Sequence, residues 1–339
     1  MMSSLPENLL QALMTLGDPN ADIVTKRKAL SDAEHLGLDA LHPIPSDFEE
    51  FWVDIKLSDG WVSKTLIIKP KDTSSKPCPL IVFFHGGGYS MGEPLSVFRP
   101  GIDWAKAYGA VVALPSYKLA PEDPFPAAMH GSWEVLVHLS KVAEKDFGAK
   151  LDGPDGGFVI GGCSAGGGVS GALLGIHAFG DGGRDYVKLA KPLTGAFINT
   201  PVLAVADIIP EKYKGLWISR EENAISEGIT TEGINQFLQD FNPDYHSPWF
   251  SPLNAVAQCE DVNKAAVSCP RVYIQTGHFD PLRDDGIVLG RLLSDLGVEV
   301  KEDCFSEDGH VGWTTMGIDA KTPGVPECTM NGMGWLLGK

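Results

Sequence analysis

Ser164 is the residue of this chain best placed to act as a nucleophile. It lies in the run Gly162-Cys163-Ser164-Ala165-Gly166, directly after the apolar stretch 157–161. The pattern predicts a buried strand that ends in a sharp turn into a helix, with glycines beside the serine because a side chain there would collide with neighbouring elements. Such a turn exposes the hydroxyl near a helix N-terminus, although the same short pattern also occurs by chance in glycine-rich loops.

A run of glycines, His85-Gly86-Gly87-Gly88-Tyr89, follows the apolar segment 79–84, which fits a strand buried on both faces. Uncovered backbone amides in such a loop can bind the negative charge that develops during acyl transfer. A phosphate-binding or linker loop is the alternative, but the Lys and Ser/Thr of a phosphate loop do not follow at the required spacing. The run therefore predicts an oxyanion hole.

Asp280 follows the strand-like segment 271–276 and is well placed to orient an imidazole. It also fits an ordinary helix N-cap with Pro281 at the first helical position, and both interpretations can hold together. Asp284 and Asp285 then fit the first turn of the same helix, where acids suit the helix dipole.

His310 lies in Asp308-Gly309-His310, after the strand-like segment 298–305, where an imidazole can lean back over the serine. A surface histidine is the alternative. The remaining eight histidines have no comparable position, and His278, beside the acid, fits a structural role. No histidine pair has HExxH or other metal-ligand spacing, so the sequence predicts no metal site and no cofactor.

Together these segments resemble the hormone-sensitive-lipase-like family of α/β-hydrolases, a group of serine carboxylesterases. The resemblance runs from about residue 50 to the C-terminus. Its motifs are HGGG followed by an aromatic residue, GxSAGG, DPLxDD, a late GHxG-type histidine, and the segment 117–128, YKLAPEDPFPAA. The order Ser164, Asp280, His310 is also the order of the triad in α/β-hydrolases.

This resemblance implies a role for each matching residue. Ser164 is expected to be the nucleophile, His310 the general base and acid, and Asp280 the residue that orients His310. The amides of Gly87, Gly88 and Ala165 are expected to form the oxyanion hole.

Two positions depart from the family pattern. Cys163 stands where the family usually has an acid before the nucleophile, so a weakly hydrogen-bonding thiol replaces a carboxylate. After the late histidine, Val311-Gly312-Trp313 replaces a small residue followed by Phe, which bears on the shape of the pocket.

The chain is expected to adopt an α/β-hydrolase fold, with a mostly parallel central sheet, helices on both faces and a helical cap. Strands are predicted at 50–56, 62–69, 80–84, 110–115, 157–161, 195–199, 271–276 and 298–304. Residues 1–45 are expected to form an N-terminal helical cap segment and residues 46–339 the catalytic domain. An insertion at about 201–255 is too long for a structureless loop and is expected to complete the cap. Tyr89, Trp217 and Trp313 are candidates for lining the substrate pocket, although each also fits a place in the core.

Composition bounds the remaining expectations. The chain of 339 residues has a formal net charge of −17, which disfavours nucleic acid and anionic lipid as partners. No window approaches 18 apolar residues, and the N-terminus lacks a basic region and a cleavage site, so we expect a cytoplasmic protein. The six cysteines lack CxxC spacing and are expected to be reduced thiols. A homodimer is compatible with the sequence.

The expected reaction is hydrolysis of carboxylic esters with small acyl groups. Three alternatives stay open at this stage. An amide or formamide hydrolase could use the same triad, and so could a tailoring enzyme that transfers the acyl group to an alcohol. A non-catalytic small-molecule receptor on the same fold is disfavoured, because the plant hormone receptors that resemble this family lack the histidine that His310 supplies.

Overall fold

The computed structural model describes residues 11–12, 14–16, 18, 21–39, 41–180, 187–226, 228–310 and 320–339. An eight-stranded sheet forms its centre, with strand order β1-β2-β4-β3-β5-β6-β7-β8. The strands are β1 Phe48–Lys56, β2 Val62–Pro70, β3 Leu80–Phe84, β4 Val111–Pro115, β5 Phe158–Cys163, β6 Gly195–Asn199, β7 Arg271–Gly277 and β8 Val300–Phe305.

The sheet is antiparallel at one edge and parallel elsewhere. β1 pairs with β2 and β2 with β4 in antiparallel register, whereas the six strands from β4 to β8 run parallel. The carboxyl ends of the parallel strands therefore meet at one rim of the sheet. In open sheets of this kind, ligands bind at that rim.

Helices cover both faces of the sheet. They are α1 Ile23–Asp39, α2 Phe98–Tyr108, α3 Ala127–Phe147, α4 Ala165–Phe179, α5 Ser219–Glu222, α6 Thr231–Phe241, α7 Pro252–Gln258, α8 Val262–Val267, α9 Arg283–Asp295 and α10 Val325–Leu336. Two apolar clusters fill the space between helices and sheet. The larger contains buried side chains of α3, α4 and α9, and the smaller contains those of α2 and α10.

Strand β3 is apolar at every position because its side chains pack into the core on both faces of the sheet. Leu80, Val82 and Phe84 point into the larger cluster, whereas Ile81 and Phe83 point into the smaller one. Successive side chains of a strand face opposite sides, so a strand covered by helices on both faces needs apolar residues at every position.

The predicted fold is confirmed. All eight predicted strands are present, with bounds that differ by at most two residues. The N-terminal region contains α1, and the segment 201–255 contains α5, α6 and the start of α7 together with two short 3-10 helices at 206–208 and 211–216. The division into a cap and a catalytic domain stays a prediction.

Two further observations concern the described part of the chain. None of its helices combines the length and the apolar character needed to cross a bilayer. All six cysteines lie within it, and none forms a disulfide.

Candidate active site

Ser164 occupies a sharp turn between β5 and α4. Its backbone has φ 56° and ψ −121°, a conformation that residues other than glycine rarely adopt. A Cβ atom on Gly162 would lie 2.2 Å from the Gly166 carbonyl oxygen, and one on Gly166 would lie 2.2 Å from that of Phe84. Both glycines are therefore required by close backbone approach, as the sequence predicted. The turn leaves Ser164 partly exposed at the N-terminus of a buried 15-residue helix.

The structure brings Ser164, His310 and Asp280 together. His310 Nε2 lies 2.9 Å from Ser164 Oγ, and His310 Nδ1 lies 2.9 Å from Asp280 Oδ2. Asp280 is fully buried, and the His310 side chain is 14% exposed. An ionised carboxylate only accepts hydrogen bonds, so Nδ1 carries the proton that bonds to it and Nε2 presents its lone pair to the serine hydroxyl. In this geometry, His310 Nε2 can remove the hydroxyl proton of Ser164.

Asp280 lies in a turn just beyond β7. Its second oxygen, Oδ1, accepts a hydrogen bond from the Leu282 amide at 2.8 Å, so both carboxylate oxygens are held. Helix α9 begins at Arg283 rather than at Pro281. The interpretation of Asp280 as the N-cap, with Pro281 at the first helical position, is therefore wrong: Pro281 and Leu282 form a turn before the helix, and Leu282 is its N-cap.

The loop that carries His310 lies directly against the end of β7. A Cβ on Gly277 would lie 2.1 Å from the Gly309 carbonyl oxygen, so glycine permits this approach. The buried carboxylate of Asp308 accepts hydrogen bonds from the amides of Lys321 and Thr322 at 2.7 and 2.9 Å. Asp308 thereby fixes the loop two residues before His310. Its role was not recognised from the sequence, because its partners lie more than ten residues further along the chain.

The glycine loop after β3 lies beside the serine. A Cβ on Gly86 would lie 3.2 Å from the Ser164 Cβ, and Gly87 and Gly88 have φ values of 111° and 62°. Within the described residues, no hydrogen bond occupies the amides of Gly87, Gly88 and Ala165. These three amides therefore have no competing partner there, and their role as an oxyanion hole stays a prediction.

Two neutral side chains, those of His85 and Cys163, lie against this glycine loop. His85 is buried and stacks on Tyr117, and burial lowers the pKa of His85 to about 4. Burial also raises the pKa of the Cys163 thiol to about 12, and a Cβ on Gly86 would lie 3.5 Å from the Cys163 Sγ. The thiol that replaces the family's acid is thus neutral near pH 7 and contacts the first glycine of the loop.

The three candidate pocket residues differ in their surroundings. Tyr89 is 1% exposed, its hydroxyl donates to the Val202 carbonyl at 2.8 Å, and its ring stacks on Phe241. Trp217 is half-buried and its Nε1 donates to Asp285 at 2.9 Å. Trp313 lies outside the described residues. A substrate-binding role stays a prediction for each.

The two acids in the first turn of α9, Asp284 and Asp285, form hydrogen bonds with the segment 201–255. Asp285 is fully buried and accepts hydrogen bonds from the amides of Leu203 and Ala204 and from the Arg220 guanidinium. Asp284 accepts from the amides of residues 218 and 219 at 2.7 and 2.6 Å. Both acids therefore anchor the segment 201–255 beside the turn that carries Asp280.

Phe237, on helix α6, was not singled out from the sequence. Its ring atoms occupy the space where a Cβ on Gly88 would lie, at 2.5 to 2.7 Å from that position. The ring therefore covers the glycine loop from the side of the 201–255 segment. Only its aromatic type, within a helix of strong apolar periodicity, could have indicated it.

Comparison with known protein families finds a match to the alpha/beta hydrolase fold over residues 81–314. That span holds the glycine loop, the Ser164 turn, Asp280 and His310. The chain belongs to the hormone-sensitive-lipase-like family of α/β-hydrolases.

Relatives of this α/β-hydrolase include named esterases. The carboxylesterase NlhH of Mycobacterium tuberculosis is 31% identical over 66% of this chain and 63% of its own length. The versiconal hemiacetal acetate esterase of Dothistroma septosporum is 29% identical over 88% of this chain and 85% of its own. Among solved structures, a vibralactone cyclase superposes with a TM-score of 0.80 at 22% identity, covering 99% of this chain and 92% of that one, which supports the fold.

Proposed function

We propose that this protein is a serine hydrolase that cleaves carboxylic esters of small acyl groups through an acyl-enzyme on Ser164. The class, a carboxylesterase-type hydrolase, follows from the family and from relatives named as esterases. The observation that carries the mechanism is the pair of 2.9 Å contacts that His310 makes with Ser164 and Asp280.

The first half-reaction acylates the serine. Ser164 Oγ bonds to the ester carbonyl carbon while His310 Nε2 takes the hydroxyl proton, and the carbonyl π electrons move onto oxygen. The resulting oxyanion is bound by the amides of Gly87, Gly88 and Ala165. The oxygen then re-forms its double bond, and the alcohol leaves with the proton from His310.

The second half-reaction releases the acid. Water bonds to the acyl carbon as His310 takes one of its protons, and the Ser164–acyl bond then breaks with return of that proton to the serine. Asp280 holds the imidazole in the required tautomer and stabilises its cation in both halves. The steps consume only ester and water, and His310 carries every proton that is transferred.

Three contacts support a cap over this site. Phe237 covers Gly88, Arg27 of α1 bonds to the Ser90 carbonyl, and a Cβ on Gly228 would lie 3.0 Å from the His310 carbonyl oxygen. The N-terminal segment and the 201–255 segment therefore both reach the rim of the sheet. The family resemblance implies that a cap of this size excludes long acyl chains, which supports small acyl groups in the substrate.

The partner proposed for the site is a small-molecule ester. The net charge of −17 supports the absence of nucleic acid among its partners. A cytoplasmic location and a homodimer stay predictions from the sequence.

Steady-state hydrolysis of p-nitrophenyl acetate and butyrate tests the proposal. We expect kcat to fall at least about 10³-fold in Ser164→Ala and in His310→Ala, because each removes a member of a unit that acts together. His278→Ala is the matched control: its side chain is exposed two residues before Asp280 and contacts the neighbouring Phe279 ring. Among the described residues, its hydrogen bonds with Phe305, Asn223 and Arg283 all use the backbone of His278. It should keep wild-type activity.

An aryl formamide measured in parallel separates the reaction classes. Faster turnover of the formamide than of either ester would contradict the assignment as an esterase. Equal activity of Ser164→Ala and wild type would contradict the role of Ser164 as the nucleophile.

A further inference from the structure

The loop that carries the oxyanion amides is held in a strained shape. Gly87, Gly88 and Tyr89 have φ values of 111°, 62° and 61° in succession. Tyr89 has a Cβ, so the left-handed region costs it energy that the surroundings must offset. The contacts that hold this loop therefore decide where its amides point.

Several of those contacts converge on Tyr89 and Ser90. The Tyr89 carbonyl accepts from the Ala120 amide at 2.9 Å, while the Ser90 and Met91 amides both donate to the Gly87 carbonyl. The loop and the segment around Ala120 are thus joined by backbone bonds. The carbonyls of Ser90 and Ala120, one in each of these two segments, accept no hydrogen bond from the backbone of either segment.

Arg27, on helix α1, supplies both donors. Its Nε donates to the Ser90 carbonyl at 2.7 Å, and its Nη2 donates to the Ala120 carbonyl at 2.9 Å. Nη1 and Nη2 also form a bidentate pair with Glu122 at 2.8 and 2.7 Å, which lowers the pKa of Glu122 to about 2. The planar guanidinium can bond in several directions at once, whereas a lysine ammonium is a single point charge.

We propose that Arg27 is a positioning residue of the oxyanion hole, tying the N-terminal helix to the strained loop through the Ser90 and Ala120 carbonyls. The proposal rests on the function proposed above and adds a residue 137 positions before the nucleophile in the chain. Among the described residues, Arg27 forms no hydrogen bond with Ser164, Asp280 or His310. It acts by holding the backbone that presents the Gly87 and Gly88 amides.

This role has a kinetic signature. Bonds to the oxyanion form only when the carbonyl oxygen becomes charged, so a displaced amide lowers kcat and leaves KM nearly unchanged. Since a displacement of about 1 Å can cost about 10²-fold in rate, we expect Arg27→Ala to lower kcat by about 10- to 100-fold.

The experiment compares full-length variants in two assays, with folding checked by circular dichroism. Lys28→Ala is the matched control, because Lys28 is the next residue of α1, its side chain is 75% exposed and, within the part of the chain that the structure describes, it pairs only with Asp32. The first assay is p-nitrophenyl butyrate hydrolysis. The second is the affinity for a small alkyl trifluoromethyl ketone, whose carbonyl carbon accepts Ser164 Oγ and whose oxygen becomes an oxyanion as His310 takes the proton.

We expect Arg27→Ala to lose ketone affinity by about the same factor as kcat, with Lys28→Ala unchanged in both assays. Glu122→Gln leaves both carbonyl bonds in place and should stay within a few-fold of wild type. Arg27→Lys cannot span both carbonyls and should fall between Arg27→Ala and wild type, which also covers the case in which Arg27→Ala does not fold.

The outcomes separate the two proposals. Active wild type with unchanged kcat and ketone affinity in Arg27→Ala and Arg27→Lys would overturn the role of Arg27 and leave the esterase intact. A rise in KM at constant kcat would also overturn it, because that result indicates altered substrate binding. A folded wild type that hydrolyses neither p-nitrophenyl ester would overturn both.

Discussion

Glu34 is a buried carboxyl group that links the N-terminal helix to Ser96, just before α2. It is 2% exposed on α1, accepts a hydrogen bond from the Ser96 hydroxyl, and has a second oxygen without a partner among the described residues. Burial, together with the nearby charge of Glu93, raises the pKa of Glu34 to about 8, although the hydrogen bond from Ser96 acts in the opposite direction. Glu34 is therefore a neutral acid near pH 7.

A carboxyl group with a raised pKa makes stability depend on pH in a defined direction. The folded state holds the proton up to about pH 8, whereas the unfolded chain loses it near pH 4.5. Between these values the free energy of unfolding falls as pH rises, by about 1.4 kcal/mol per pH unit for one such group. Glu34→Gln keeps the acceptor for Ser96 and cannot ionise.

We therefore expect the unfolding free energy of the wild type to fall relative to Glu34→Gln as pH rises from 5 to 8, measured by urea denaturation. Asp32→Asn, an exposed change two residues away, should follow the wild-type curve. Parallel curves for wild type and Glu34→Gln would show that Glu34 is ionised in the folded protein.

Residue types predicted the reactive centre well, because its chemistry leaves a local signature. Glycines beside Ser164 and the glycine run before Tyr89 reflect close backbone approach, which any reader of the chain can recognise. Arg27, Glu34 and Asp308 left no such signature. Each is an ordinary charged residue whose importance comes from partners 13 or more positions away in sequence.

At the scale of elements, strands were easier to predict than the segment 201–255. A strand buried on both faces shows an uninterrupted apolar run, as β3 does. The helices of 201–255 are short, and their positions depend on anchors elsewhere in the chain. Asp285 of α9 is the strongest anchor, because it fixes the amides of Leu203 and Ala204, the Trp217 indole and the Arg220 guanidinium together.

We expect Asp285→Ala to destabilise the protein by about 3–5 kcal/mol, since it leaves the nearly buried Arg220 without its counter-charge. Thermal unfolding followed by circular dichroism measures the effect. Asp295→Ala, which removes a half-exposed acid at the other end of the same helix, should change the melting temperature little. Equal shifts for the two variants would contradict the anchoring role of Asp285.

Over the whole molecule, the sheet explains how distant residues meet. Ser164 follows β5, Asp280 follows β7, and His310 follows β8, so three parallel strands deliver the three side chains to the same rim. The glycine loop after β3 reaches that rim from the strand beside β5. Each of these side chains follows its own strand, and the strands are far apart in the sequence. The side chains meet in one site because the strands lie parallel in the same sheet.

The most direct test of this assembly is covalent trapping with an alkyl fluorophosphonate, followed by peptide mass spectrometry. Ser164 Oγ should bond to phosphorus with loss of fluoride, while His310 takes the hydroxyl proton. The account predicts one adduct per chain, on Ser164, that is absent from heat-denatured protein and much slower to form in His310→Ala. An adduct on another residue, or none in the folded wild type, would contradict it.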